Sequence, residues 1–181
     1  RNHGMHKNIK SFKNKYLAFT NKNHVNPWYY EMDDFSYNFR ITDIQSSLGN
    51  NQLKKIDFFA DKRRKIAKIY DNEFSKNEYI LTPKVNSHVL HAYHLYTILI
   101  DFKLLKISRY EFMRKLIKYN IGSQVLYIPL YQQPYYKKKY NYNPINFPNS
   151  QKFYSKCLSI PIFPSMKLSD AKKISKIINK I

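Results

Sequence analysis

The fold of this chain is decided at residues 34–57, which read DFSYNFRITDIQSSLGNNQLKKID. Thr42 and Gln45 have the spacing of a capping box, in which each side chain satisfies a backbone amide of the other residue. This pattern predicts a helix from residue 42 to about 55. Asn38 and Arg40 lie just before the helix, and both donate hydrogen bonds that suit phosphate or carboxylate. They also fit a local use, in which Asn38 closes a turn and Arg40 pairs with a surface acid.

The helix predicted at 42–55 is expected to pack against other parts of the molecule. Ile44 and Leu48 lie one helical turn apart, and we expect them to face inward together with Ser47 and Leu53. Gly49 lies in the middle of the helix, where glycine costs about 1 kcal/mol relative to alanine. It therefore indicates close packing against another backbone, or a bend.

The rest of the chain mixes helices and strands. Apolar spacing predicts a long linking helix at 57–75, and Ser108 with Glu111 predicts the capped start of another helix. The further elements predicted are strands at 95–101, 124–129 and 158–163, a short helix near 149–157 and a last helix from Ser169. The segment YQQPYYKKKYNYNP at 131–144 is interpreted as an aromatic and lysine loop. This order of elements predicts a small α/β layer.

The composition limits the function. The 181 residues carry a formal charge of +20, which attracts polyanions. The sequence has 26 lysines but only 6 arginines, and specific readers of nucleic acid rely on arginine. Codons rich in A and T favour the same residues. We therefore expect nonspecific, salt-sensitive association and no specific nucleic-acid binding. Apolar runs are far shorter than the ~20 residues that span a bilayer, so no membrane span is predicted.

Three smaller features have both a functional and a structural interpretation. His88, His91 and His94 recur every third residue without an acidic or thiol ligand, so we predict no metal site and expect His94 to be packed. Cys157 has apolar neighbours and is expected to be a small core residue, not a catalytic thiol. The tyrosines and lysines at 135–140 suit three uses: stacking with single-stranded nucleic acid, covering a sugar nucleotide, or a surface loop that does neither.

The block at 34–57 resembles the DegT family of sugar-nucleotide aminotransferases, which depend on pyridoxal phosphate (PLP). The matching positions are Asn38, Arg40, Thr42, Asp43, Ile44, Gln45, Gly49, Gln52 and Leu53. The resemblance continues through KRRKIAKIYDNEF at 62–74, AYHLYTILID at 92–101, IGSQVLYIPLYQQPYY at 121–136 and FPNSQKFYSKCLSIPIFPSM at 147–166. It covers essentially the whole chain. The segments most similar to the pseudaminic acid branch of the family are PWYYEM at 27–32 and QVLYIPLYQQPYY at 124–136.

This resemblance implies an α/β fold, namely the C-terminal portion of a fold-type I PLP-dependent transferase. Residues 1–57 would form the tail of the large domain and a dimer-interface segment, and residues 58–181 a small α/β domain. PLP would be bound covalently by a lysine upstream of this segment, since Arg1–Gly4 corresponds to a family segment that follows that lysine. No lysine of the chain lies in a similar context, so we expect the segment alone to be inactive.

The resemblance also assigns site residues one by one. Asn38 corresponds to an asparagine that reaches across the dimer interface, close to the cofactor phosphate and the substrate. Gln124, Val125, Leu126 and Tyr127 correspond to the substrate-facing Q-V-H-Y of the family. Leu126 stands where the family has histidine, so either that polar contact is made elsewhere or the sugar differs.

The activity implied is transfer of an amino group from glutamate, through PLP, to C4 of a UDP-linked 4-keto-6-deoxy sugar in a cytoplasmic homodimer with shared active sites. Two other hypotheses stay open. One is a lysine-less remnant or partner subunit that binds UDP-sugar without catalysis, and the other is a basic nucleic-acid-binding module. Expressed alone, the chain is expected to associate through apolar surface of residues 1–57.

Overall fold

The computed structural model describes residues 5–6, 12–32 and 41–181. The chain forms two compact units. The first unit consists of Arg1–Arg40 with Val125–Ser155, and the second of Ile41–Gln124 with Lys156–Ile181. The domain boundary predicted between residues 57 and 58 refers to a longer enzyme and stays a prediction.

The elements are mixed helices and strands. In chain order they are β1 (Met5–His6), α1 (Lys15–Ala18), β2 (Glu31–Met32), α2 (Asp43–Leu53), α3 (Ile56–Phe74), β3 (Ile80–Leu81), β4 (Tyr96–Ile100), α4 (Arg109–Lys118), a 3-10 turn (Leu130–Gln132), α5 (Pro134–Tyr140), a second 3-10 turn (Pro144–Asn146), α6 (Pro148–Lys156), β5 (Cys157–Ile160) and α7 (Leu168–Ile178). In the first unit β1 pairs with β2, and in the second the sheet order is β3-β4-β5, with every pairing antiparallel. The predicted α/β class is confirmed.

The core of the second unit lies between the sheet and α3. Alternate residues of β4 are buried, because successive side chains of a strand point to opposite faces. Tyr70 of α3 packs its ring 5.0 Å from the ring of Tyr96 on β4. Its hydroxyl donates a 2.7 Å hydrogen bond to the carbonyl of Pro161, just after β5. Helix α7 packs along α3.

Both predicted capping boxes are present. At the start of α2, the Thr42 hydroxyl accepts from the Gln45 amide at 3.4 Å and the Gln45 side chain accepts from the Thr42 amide at 2.9 Å. Ser108 and Glu111 make the same exchange at the start of α4. These helix starts are local properties, which explains why the sequence predicts them.

The predicted inward face of α2 is wrong for this chain. No residue of α2 is buried, and Ile44 is 83% exposed. A Cβ built on Gly49 meets no atom within 4 Å among the described residues, so these residues do not make the close packing predicted for this glycine. The apolar spacing is real, but the described residues do not provide a surface that covers it.

Two predictions around residues 124–144 are also corrected. Instead of a strand at 124–129, only Gln124 bridges to β5, and Pro129 has no amide to extend a ladder. Instead of a loop at 131–144, the chain forms α5 between two 3-10 turns. Pro134 occupies the first turn of α5, where its missing donor costs nothing. In addition, His94 is exposed where packing was predicted.

Candidate functional site

The predicted substrate segment, Gln124–Tyr127, presents two polar side chains at the surface. Gln124 belongs to the second unit, where its backbone exchanges hydrogen bonds of 3.0 and 2.8 Å with Ser159 of β5 while its side chain stays exposed. In the first unit, Val125 is buried, Leu126 is half-buried and the Tyr127 side chain is 60% exposed. Pairing with Ser159 therefore anchors the backbone of Gln124 within the second unit, and burial of Val125 anchors the backbone before Tyr127 within the first.

Tyr30 forms a cluster with Tyr127 and Tyr154 within the first unit. Burial raises the pKa of the Tyr30 phenol, and the nearby phenols of Tyr127 and Tyr154 raise it further. Tyr30 is half-buried and Tyr154 is buried, so the cluster runs from the core to the surface. No motif in the sequence predicts a site role for Tyr30 or Tyr154, although Tyr30 lies in the PWYYEM segment that carries the resemblance.

The carboxylate of Glu31 fixes the backbone next to Tyr30. Glu31 is fully buried and accepts hydrogen bonds from the amides of Lys13 and Asn14 at 2.8 and 2.6 Å. The Tyr29 hydroxyl donates a third bond of 2.7 Å. Burial, followed by this hydrogen bond to Glu31, raises the pKa of Tyr29, so its phenol remains a donor. Glu31 and Tyr29 are buried, whereas the intervening Tyr30 is half-buried.

Gln133 joins the two segments that carry the pseudaminic acid resemblance. The buried side-chain carbonyl of Gln133 accepts a 3.1 Å hydrogen bond from the amide of Met32, the last residue of PWYYEM. Gln133 also precedes α5, and β2 contacts that helix. The fold thus brings PWYYEM and QVLYIPLYQQPYY together in the first unit, although 101 positions separate Met32 from Gln133.

Asn38 and Arg40 lie outside the described residues, so the position of Asn38, the predicted cofactor-binding residue, stays a prediction.

The start of α2 is a second place where a phosphate group could bind. Its capping box occupies amides that would face an anion, and Asp43 adds a carboxylate in the first turn. The donor set at this helix start does not fit the phosphate of PLP. Among the described residues we therefore assign none to hold the cofactor.

Neither cysteine nor metal chemistry is indicated in the described part of the chain. Cys157 is buried in β5, as predicted, and burial raises the pKa of its thiol. Within residues 5–6, 12–32 and 41–181, no three His, Cys, Asp or Glu side chains are grouped as metal ligands. His88, His91 and His94 are all exposed. No helix in these ranges is both long and apolar enough to cross a bilayer.

Comparison with solved structures gives the class of protein. The chain is similar to Helicobacter pylori PseC, an aminotransferase involved in the biosynthesis of pseudoaminic acid, with a TM-score of 0.72 and 29% identity. The match covers 99% of this chain and 43% of PseC. The fold is therefore that of PLP-dependent aminotransferases.

The chain belongs to the DegT/DnrJ/EryC1/StrS aminotransferase family, whose model matches residues 1–179. It is 40% identical to the UDP-4-amino-4,6-dideoxy-N-acetyl-beta-L-altrosamine transaminase of Campylobacter jejuni over 80% of this chain and 38% of that protein. It is 42% identical to the uncharacterized protein MJ1066 of Methanocaldococcus jannaschii, over 85% of this chain and 40% of that protein. The chain thus spans about 40% of the length of these curated relatives.

Proposed function

We propose that this chain is the substrate-orienting part of a sugar aminotransferase that transfers an amino group from glutamate, through PLP, to C4 of a UDP-linked 4-keto-6-deoxy sugar for nonulosonic acid or surface-glycan biosynthesis. The active protein would be a cytoplasmic homodimer with shared active sites. The observation that supports the proposal is the exposure of the Gln124 side chain in the second unit and of the Tyr127 side chain in the first, the two polar residues that by resemblance correspond to the substrate-facing Q-V-H-Y of the family.

The proposed role of this chain is alignment of the sugar nucleotide. The amide of Gln124 both donates and accepts hydrogen bonds, and so does the Tyr127 phenol, which suits sugar hydroxyl and keto groups. Asn38 is proposed to approach the cofactor phosphate across the subunit boundary. Holding the reacting groups in register lowers the entropic part of the barrier. PLP, when bound, supplies the electron sink for amino transfer.

The replacement of the family histidine by Leu126 removes a polar contact from this segment. Tyr30 offers a compensating group, because its half-buried phenol lies near Tyr127. We propose that Tyr30 contributes hydrogen bonding that Leu126 cannot provide. Under this proposal the sugar class is retained and the contact is relocated.

The proposal is tested by joining this chain to the upstream part of the Campylobacter jejuni relative. The joined protein is expected to show the absorption band of lysine-bound PLP and to aminate a UDP-4-keto-6-deoxy sugar in the presence of glutamate. A correctly folded joined protein with no such band would contradict the proposal. A protein that has the band and binds UDP-sugar, but transfers no amino group, would favour the noncatalytic alternative.

Single substitutions locate the site within the joined protein. Tyr127→Phe and Gln124→Leu each remove a hydrogen-bonding group, so KM for the sugar nucleotide should rise about three- to tenfold while the PLP band is unchanged. Tyr119→Phe is the matched control, because Tyr119 is an exposed tyrosine at the end of α4. Equal KM values for Tyr127→Phe and Tyr119→Phe would exclude Tyr127 from the site.

A further inference from the structure

Helix α5 presents a face made of tyrosines and one lysine. Successive residues of a helix are about 100° apart, so Tyr135, Lys139, Tyr136 and Tyr140 fall within an arc of roughly 140°. We call these four residues the α5 face. Lys138 lies outside this arc, on the other side of the helix. The α5 face is not used by the substrate-orienting role proposed above.

The rings of the α5 face continue into the segment that follows the helix. The rings of Tyr136 and Tyr140 stack with centroids 6.2 Å apart and planes 16° apart. Tyr140 stacks in turn with Tyr142 at 5.3 Å and 24°. Tyr140 is 48% exposed and Tyr142 is 41% exposed, so these rings form a ladder that remains open to solvent. Solvent-exposed aromatic rings are the groups on which nucleobases stack.

A positive charge lies directly beside these rings. The ammonium group of Lys139 is 5.9 Å from the centre of the Tyr135 ring and 5.4 Å from that of Tyr140. The contact with the Tyr135 phenol raises the pKa of Lys139, which keeps the ammonium protonated. The sequence contains no Asp or Glu between Glu111 and Asp170. This segment is therefore complementary in charge to an anionic ligand.

We propose that the α5 face and Tyr142 bind the nucleoside diphosphate portion of the sugar nucleotide, an inference that rests on the proposed function. The base stacks on the exposed ring of Tyr142 at the end of the ladder, where Tyr140 supports that ring from its other face, and the diphosphate meets the ammonium of Lys139. The seven residues of α5 span about 10 Å, which suits one nucleoside diphosphate. A single-stranded nucleic acid instead requires a basic groove that follows several nucleotides.

The test is calorimetric titration of the 181-residue chain with UDP, with inorganic pyrophosphate and an oligothymidylate as comparison ligands. UDP should bind saturably and more tightly than pyrophosphate, because pyrophosphate lacks the base. Tyr140→Leu should weaken UDP binding by roughly fivefold or more. Lys139→Gln should weaken both UDP and pyrophosphate, since it removes the charge that they share.

Lys138→Gln is the matched control, because it removes the same charge from the opposite side of α5 and should change UDP affinity less than twofold. Unchanged far-UV circular dichroism shows that each variant is folded. The proposal is overturned if Tyr140→Leu or Lys139→Gln binds UDP as the unmodified chain does, if pyrophosphate binds as tightly as UDP, or if UDP does not bind. It is also overturned if Tyr140→Leu and Lys139→Gln weaken oligothymidylate binding as much as they weaken UDP binding, which would assign the α5 face to single-stranded nucleic acid.

This inference and the proposed function fail in different ways. UDP binding by the chain requires no amino transfer, so loss of binding in Tyr140→Leu supports the α5 site even when the joined protein is inactive. Conversely, a joined protein that aminates the sugar with the same KM before and after Tyr140→Leu retains the proposed function and excludes the α5 site.

Discussion

Glu31 is a buried carboxylate stabilised by neutral donors. Two backbone amides and the Tyr29 hydroxyl point at its two oxygens, at 2.6 to 2.8 Å. Hydrogen bonds to a charged acceptor are stronger than those between neutral groups, and each of these donors would be left buried without its acceptor. Glu31 therefore ties the start of α1 to β2 and fixes the backbone that directly follows Tyr30.

Replacing Glu31 tests this role directly. Glu31→Gln turns one acceptor into a donor facing the Lys13 amide, so the free energy of unfolding should fall by about 2 kcal/mol. Tyr29→Phe removes one donor and should cost about 1 kcal/mol. Trp28, the single tryptophan, is buried next to Tyr29 in the chain and reports the urea transition by fluorescence. Glu78→Gln, at an exposed glutamate, should change stability by less than about 0.5 kcal/mol. A Glu31→Gln protein as stable as Glu78→Gln would contradict the role.

Asp71 makes the free energy of unfolding depend on pH, and the burial of its carboxyl determines the sign of this dependence. Burial raises the pKa of the Asp71 carboxyl above its ordinary 3.8, and the hydrogen bond from the Tyr96 hydroxyl opposes part of that shift. The folded state therefore holds the proton more tightly than the unfolded state. The resulting stability is fully present below about pH 3.8 and is lost as the pH rises through the folded pKa.

Asp71→Asn removes this titration. The free energy of unfolding of Asp71→Asn minus that of the unmodified chain should become more positive as the pH rises from just below 4, and should level off above the folded pKa. Urea unfolding followed by circular dichroism at a series of pH values measures the difference. Asp57→Asn, at an exposed carboxylate, provides the control series. A difference that does not vary with pH would show that Asp71 does not titrate differently in the two states.

At the scale of elements, the sequence predicted where helices begin better than it predicted which helix faces are buried. The capping boxes at Thr42 and Ser108 are exchanges between residues three positions apart, so the sequence contains all that is needed to predict them. Whether the apolar face of α2 is covered depends on residues distant in the sequence, and the predicted burial of this face was wrong. Helix α5 was missed because its three tyrosines favour helices weakly, whereas stacking of Tyr136 on Tyr140 supports the turn.

Gly49 in α2 gives a test with opposite signs in two settings. Alanine lowers the conformational freedom of the unfolded chain, and a Cβ meets no described atom within 4 Å, so Gly49→Ala should stabilise this chain by about 0.5 to 1 kcal/mol. If the glycine permits close packing in the complete enzyme, the same substitution should reduce the PLP band and activity of the joined protein. Urea unfolding and absorption spectroscopy measure the two effects. An equal gain of stability in both proteins would exclude a packing role for Gly49.

The exposed face of α2 makes a second prediction at this scale. Ile44 and Leu48 lie one turn apart and are exposed, so the isolated chain should associate through them. The double substitution Ile44→Gln and Leu48→Gln should lower the apparent mass in light scattering without loss of helicity. Asn50→Gln on the other side of α2 should leave the association unchanged. A monodisperse monomer of the unmodified chain would contradict the prediction.

At the scale of the whole molecule, the site could be predicted only in parts. A local match in sequence predicts Gln124 and Tyr127 as substrate residues, and the structure shows that both side chains are exposed. The bond between Met32 and Gln133 and the proximity of Tyr30 to Tyr127 join segments about a hundred residues apart. Such pairings depend on the packing of the complete first unit, which has no local signature. The net charge, in contrast, depends on composition alone. It therefore allows a prediction about binding that needs no knowledge of which residues contact one another.

The charge of +20 predicts association with single-stranded oligonucleotides that is independent of their sequence. Raising the salt concentration from about 50 to about 200 mM should weaken binding at least tenfold, and oligonucleotides of equal length should differ by less than twofold. Because 32 basic residues share this attraction, Lys139→Gln should hardly change oligonucleotide affinity while it weakens UDP binding. Fluorescence anisotropy with labelled oligonucleotides measures both dependences. Salt-resistant binding with a preferred sequence would instead identify a nucleic-acid-binding module, because a diffuse charge cannot distinguish bases.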